Sequence, residues 1–181
     1  MRIIAGTLKS RHLVTPDLEG LRPTSDRLRE TLFNVIAARV PGANVLDGFA
    51  GTGALGIESI SRGAAHVTCV DDDRRAVALI GENVRRCSVG DRCMIVRGRL
   101  IEVARGLAMA PFDLILLDPP YNTEKDLAAV LEAAAAVLTR DGLVVLEHAR
   151  RREAPEFTSM LRRTRRLTSG DSVLAFYERG P

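Results

Sequence analysis

A chain of 181 residues, 46% hydrophobic and 27% charged, has the length of one domain with a small appendage and enough apolar content to bury a core, which excludes a disordered chain. No window supplies the eighteen or more apolar residues of a membrane span, and Met1–Gly6 is too short and too quickly polar for a secretory signal, so a cytoplasmic protein that needs no membrane is expected. The formal charge is only +3, but Lys9 and Lys125 are the only lysines, and arginine suits bidentate contacts with phosphate.

Arg2, Lys9 and Arg11 precede any acidic residue, and Arg150–Arg152 and Arg162–Arg166 crowd the far end. Basic clusters at both ends predict a polyanionic partner. Cys69, Cys87 and Cys93 are odd in number and lack C-x-x-C spacing, which predicts reduced, mostly buried thiols and no metal site.

In chain order, Arg2–Ile4 and Arg11–Val14 read as an extended pair about Gly6-Thr7, a hairpin that must pack on the body because two strands alone are not stable. The expected domain division is 1–20 for this extension and 21–181 for the body. After a loop from Pro16 to Pro23, Thr24 or Ser25 can cap a helix to about Arg39, ended by Pro41-Gly42. Strands and helices then alternate: strands at Asn44–Leu46, His66–Val70, Cys93–Val96, Phe112–Leu117 and Gly142–Glu147, helices at Ala54–Ser61, Asp73–Arg86, around Leu100–Ala108 and at Glu124–Leu138. Such alternation predicts right-handed βαβ units and a parallel sheet buried on both faces. Ala154–Leu161 reads as a helix. Arg165–Ser169 and Val173–Glu178 flank Gly170-Asp171, a hairpin signal that makes the final strands antiparallel.

Two stretches carry chemistry. Asp47-Gly48-Phe49-Ala50-Gly51-Thr52-Gly53 joins a strand to a helix N-terminus, where glycines let backbone approach a ligand and unpaired N–H groups face it. Gly51, Gly53 and Gly56 satisfy G-x-G-x-x-G, and Asp71 follows at the distance of a ribose-binding acid. This predicts an adenosine-containing cofactor. Asp118-Pro119-Pro120-Tyr121 follows the apolar strand Phe112–Leu117, so its residues converge with Asp47 and Asp71 at the carboxyl edge of the sheet. Two prolines withhold their N–H groups and leave carbonyl acceptors beside a carboxylate, with a ring next in sequence. That is a receptor for an exocyclic amine on a flat base.

Asp-Pro-Pro-Tyr with the 47–53 stretch resembles class I S-adenosyl-L-methionine-dependent methyltransferases that modify nucleobase amino groups. Arg2–Gly6, Leu21–Arg27, Arg29–Asn34, Phe49–Gly56 and Pro111–Asp113 are similar to the bacterial 16S rRNA guanine-N2 methyltransferase family, essentially end to end. The resemblance implies a seven-stranded Rossmann-like α/β sheet with an antiparallel last strand, and methylation of one guanine N2 in the RNA of the small ribosomal subunit by a monomer. It implies Asp118, Pro119, Pro120 and Tyr121 at the target base. It implies Thr24 and Arg27 at the methionine carboxylate, and Asp47, Phe49, Ala50, Gly51 and Gly53 along the cofactor. Asp71 and Asp72 would meet the ribose, and Arg2, Lys9, Arg11 and Arg22 would contact RNA. Two departures stand out. Arg99 replaces the family's common acidic residue, so backbone of Arg99 and Leu100 is expected at the adenine. The motif ends in Tyr121 rather than Phe, the commoner ending in adenine-N6 enzymes, which keeps an adenine-N6 methyltransferase open as an alternative; a non-catalytic nucleic-acid-binding module is another.

Overall fold

The computed structural model describes residues 1–15, 26–109, 111–120 and 126–180. Seven strands form one sheet: β1 (Asn44–Asp47), β2 (His66–Asp71), β3 (Cys93–Arg97), β4 (Phe112–Leu117), β5 (Leu138–Ala149), β6 (Leu161–Ser169) and β7 (Ser172–Arg179). Their order is β3-β2-β1-β4-β5-β7-β6. The first five are mutually parallel, and β7 runs antiparallel to both β5 and β6. This is the doubly wound sheet with an antiparallel close that the sequence predicts.

Strand residues alternate between two cores, as a pleat of period two requires. Val45, Leu114, Leu116 and Val145 face the side covered by α1 (Asp26–Val35), α2 (Ala54–Ser61) and α3 (Arg74–Cys87). Leu46, Ile115, Leu117 and Val144 face α4 (Leu100–Leu107) and α5 (Leu127–Val137). Both faces are buried, so the inner residues of the central strands, Val45–Leu46 and Leu114–Leu117, are apolar without alternation.

Two local expectations change. The first helix stops at Val35, and Ala37–Arg39 continue as a short 3-10 turn. The segment Ala154–Leu161 is not helical. Tyr177 Oη donates to the Pro155 carbonyl (2.7 Å), Arg163 Nη1 to that of Ala154 (3.0 Å), and Ser159 N to Glu132 (2.6 Å). Thr158 Oγ1 accepts from Leu161 N (3.1 Å), and Phe157 bridges to Arg162. These bonds outcompete helix propensity and release Leu161–Ser169 as an edge strand.

The N-terminal residues form a small antiparallel loop, bridged at Arg2 and His12 and closed by Ile3 N–H on the Arg11 carbonyl and Leu13 N–H on that of Met1, both 3.0 Å. Buried polar groups of α2 and α3 hold it down. Glu58, fully buried, accepts from Ile4 N (2.8 Å) and Ala5 N (3.0 Å) and pairs with Arg62 Nε (2.7 Å). Asn83 accepts from Val14 N (2.7 Å) and donates to the carbonyls of Val14 and Thr52. Arg29, also fully buried, donates to the Arg2 carbonyl and to Asp26. The expected domain boundary near residue 20 lies outside the described residues.

Candidate functional site

The glycine turn is tied to its neighbours through its backbone. Gly48 N–H bonds the Leu116 carbonyl of β4 (2.9 Å) and Ala50 N–H the Val70 carbonyl of β2 (3.0 Å). Gly51 N–H bonds Asp71 Oδ2 (2.8 Å), and Gly56 N–H bonds Asp47 Oδ2 (2.9 Å). The turn thus spans the point between β1 and β4 where the winding of the sheet reverses, the position at which open α/β sheets bind ligands. Gly53 caps α2 with φ +77°, a left-handed conformation that glycine adopts without a Cβ penalty. A Cβ on Gly56 would lie 2.8 Å from Cys69 Sγ and 2.9 Å from Val67 Cγ1, so α2 needs glycine there to lie close on β2.

A cavity of about 430 Å³ opens beside this turn, lined by Gly48, Phe49, Asp71, Asp72, Gly98, Arg99, Leu100, Ile101, Asp126, Ala129 and Val130. Its size falls within the range of small-molecule sites. Its lining sets the acids Asp71, Asp72 and Asp126 among apolar Phe49, Leu100, Ile101 and Val130. Asp71 uses Oδ1 for Asp73 N–H (3.0 Å) as well as Oδ2 for Gly51, which fixes its carboxylate while leaving lone pairs for a ligand hydroxyl. Of the two acids that follow, Asp73 caps α3 through Arg75 N–H (2.8 Å), and Asp72 faces the cavity. Arg99 begins α4, where its carbonyl accepts from Glu102 N and Val103 N. Its guanidinium turns to Glu102 (3.3 Å) on the same helix, half exposed. Arg99, Leu100 and Ile101 together line this end of the cavity.

Asp47 does not line the cavity. It is fully buried beneath the turn, and its Oδ1 has no hydrogen-bond partner among the described residues. Desolvation pushes its pKa from the usual 3.8 to about 7; the Gly56 N–H opposes this and the charges of Asp118 and Asp71 add to it. Ala50 is buried, and Arg27 is exposed on α1. Asp118 ends β4 half-exposed, and Pro119 and Pro120 line a shallow depression with Leu127, His148, Ala149 and Arg152. Arg2, Lys9 and Arg11 are exposed on the N-terminal loop. Thr24, Arg22 and Tyr121 lie outside the described residues.

Sequence reasoning missed Ile101, Asp126, Ala129 and Val130 as cavity walls. Asp126 caps α5 through Ala128 and Ala129 N–H, and an Asp two residues before an alanine run was the available signal. Cys69 Sγ and Cys93 Sγ lie 3.9 Å apart on neighbouring strands, a pairing that spacing alone does not reveal. Among the described residues, no helix is long and apolar enough to cross a membrane, and no group of three or more His, Cys, Asp or Glu side chains could hold a metal ion.

Comparison with known proteins gives this geometry a family. The model of the family described as "Conserved hypothetical protein 95" matches residues 1–178. A Bacillus subtilis protein named "Putative rRNA methyltransferase YlbH" is 36% identical over 183 residues, covering 99% of each chain. "Ribosomal RNA small subunit methyltransferase D" of Escherichia coli is 38% identical over 122 residues, covering 67% of this chain and 61% of that one. The solved structure titled "Putative methyltransferase yhhF from Escherichia coli" superposes with a TM-score of 0.84 at 30% identity, over 99% of this chain and 97% of that one. The chain belongs to the conserved hypothetical protein 95 family and has the class I S-adenosylmethionine-dependent methyltransferase fold.

Proposed function

We propose that this protein methylates the exocyclic N2 of one guanine in 16S ribosomal RNA, using S-adenosylmethionine. The observation that carries the reading is the pairing, across the switch point of the sheet, of an adenosine-sized cavity at β2 and α4 with the Asp118-Pro119-Pro120 turn at the end of β4. Its relatives bear names that assign them to ribosomal RNA methylation.

The cavity fits the cofactor chemically. Asp71, held by two backbone N–H groups, is a fixed acceptor for ribose hydroxyls. Asp72 and Asp126 add acceptors nearby, and Phe49, Leu100, Ile101 and Val130 offer apolar faces to a purine. When bound, S-adenosylmethionine supplies an electrophilic methyl group together with its own leaving group. What remains for the chain is alignment and electrostatics. A guanine N2 lone pair is delocalised into the ring and attacks poorly. Hydrogen bonds from N2 to the Asp118 carboxylate and the Pro119 carbonyl favour a pyramidal nitrogen and stabilise the positive charge that develops on it. The Asp118 carboxylate would also accept the proton displaced from N2. Tyr121 would stack on the base once it is turned out of its helix or loop. The N-terminal loop, with Arg2, Lys9 and Arg11 exposed on a firmly anchored backbone, would hold phosphates.

Transfer of labelled methyl groups to ribosomal RNA from a strain lacking the enzyme tests the reading. Asp118→Ala should bind S-adenosylmethionine normally and lose most transfer; undiminished turnover would remove Asp118 from this role. Tyr121 favours the adenine-N6 reading, which label on adenine would establish instead. Absence of calorimetric heat with S-adenosylmethionine would leave only a nucleic-acid-binding module.

A further inference from the structure

The carboxyl edge of the sheet continues past Asp118 into a surface that the methyl-transfer site leaves unused. Leu117 of β4 stands level with Leu146 of β5, which brings Pro119 and Pro120 alongside His148 and Ala149, and these residues share one depression. On the far side of β5, His148 pairs with Val173 and Ala149 with Ser172 of β7. Arg150 N–H closes on the Asp171 carbonyl (2.7 Å) in the β6–β7 turn. With strands about 4.8 Å apart, this turn lies about 10 Å from the tip of β4.

The surface is strongly basic. Residues 148–171 hold seven arginines, 150–152, 162, 163, 165 and 166, against three acids, Glu153, Glu156 and Asp171. Arg150, Arg151 and Arg166 are exposed. Arg163 and Arg166 face the buried His148 ring, adding to the burial that holds its pKa down. The pairing of Arg166 is loose: Glu153 stands 3.7 Å from it and is itself largely exposed. A weak surface pair of this kind leaves the guanidinium available to a stronger anion.

Position sharpens the charge argument. On the other side of β4, the ends of the N-terminal loop are tied to the glycine turn, because Asn83 bonds both Val14 and Thr52. Asp118 therefore lies between two basic regions along one edge. We propose that Arg150, Arg151 and Arg166 form a second RNA-binding arm, which holds backbone phosphates on the side of the target base opposite Arg2, Lys9 and Arg11. The inference rests on the RNA-methyltransferase reading and adds where the substrate strand runs: over the β1 and β4 tips and across the β5–β7 edge.

The test is an Arg150→Ala/Arg151→Ala/Arg166→Ala variant, compared with Arg85→Ala/Arg86→Ala, which removes exposed charge from the far end of α3. The measurements are kcat and KM for ribosomal RNA, S-adenosylmethionine affinity, thermal midpoint, and the slope of log affinity against log salt. The triple variant should keep its thermal midpoint, its cofactor affinity and kcat at saturating RNA. Its RNA affinity should fall on the order of tenfold or more, and its salt slope should flatten by about 2, as expected for three lost phosphate contacts. Lysines at the same three positions should restore most of the affinity, since a point charge suffices for phosphate. An unchanged KM and salt slope would overturn the proposal, as would an equal loss in the α3 variant, which would reduce the effect to net charge. A wild-type protein that methylates no RNA would instead overturn the functional reading beneath it.

Discussion

Replacing Asp47 by Asn should change the pH dependence of stability in a calculable way. In the unfolded chain the Asp47 carboxyl releases its proton near the usual 3.8, whereas in the folded protein it holds it to about 7. Between these values the folded state binds the extra proton, so stability falls as pH rises through the window, and the full loss is present above pH 7. At about 1.4 kcal/mol per pH unit, the difference amounts to roughly 4 kcal/mol. The cause is geometric. The side chain is fully buried, one oxygen accepts from the Gly56 N–H and the other has no partner among the described residues, so an anion there is poorly solvated. Asn keeps an acceptor for Gly56 and carries no charge. Urea unfolding of both proteins without ligand, at intervals from pH 4 to pH 8, would measure the difference in stability at each pH. Any constant offset from the new amide cancels in the trend. The advantage of the Asn variant should grow by several kcal/mol from pH 4 to pH 8. Parallel curves would refute the assignment of a raised pKa to Asp47.

Glu58→Ala should destabilise the fold by about 3–5 kcal/mol, because it strips acceptors from Ile4 and Ala5, leaves Arg62 without its partner and leaves buried Arg29 with Asp26 but not the second nearby anion. Urea unfolding, with limited trypsin cleavage at Lys9 and Arg11, would show it; a loss under about 1 kcal/mol would refute the anchoring role. Gly56→Val should cost about 1–3 kcal/mol in the same assay through overpacking against Cys69 and Val67, and a neutral effect would mean that α2 and β2 separate freely. Asp71→Ala should weaken S-adenosylmethionine binding in calorimetry by more than Asp73→Ala does, since Asp71 faces the cavity and Asp73 caps a helix; equal effects would argue for loss of the turn rather than of a ligand contact.

The sheet was legible because its signals are local and repeated: apolar runs of strand length, glycine at the β1–α2 turn, and alternation that leaves parallel pairing as the consistent topology. Ala54–Ser61 and Phe112–Leu117 appear at their predicted bounds. The helix expected over 154–161 failed because its partners are remote in sequence: Tyr177, Glu132 and Arg163 hold that backbone extended. Glu58, Asn83 and Arg29 are buried polar residues on helices, outside the apolar positions that mark a core-facing stripe. Their burial depends on the N-terminal loop lying over them, which no helical period encodes.

At the site, Asp71 was found from its spacing to the glycine turn, and Phe49, Asp72, Arg99 and Leu100 from the family resemblance; the structure brings them around one cavity. Its opposite wall, from Asp126, Ala129 and Val130, comes from α5, far from either motif, and only the packing of α5 beside α4 places it there. Asp47 shows the converse. The motif marks it as a ligand-facing acid, yet its side chain is buried beneath the turn, with Oδ2 accepting from Gly56 N–H.

The central claim is chemical, so the decisive measurement is the identity of the methylated nucleoside. Small-subunit RNA from a strain lacking the enzyme, incubated with the protein and S-adenosylmethionine, should be digested to nucleosides and resolved by mass spectrometry. The account predicts one methyl per RNA, recovered as N2-methylguanosine, and its loss with Asp118→Ala. Methyl recovered on adenine or cytosine, or at guanine positions other than N2, would contradict it.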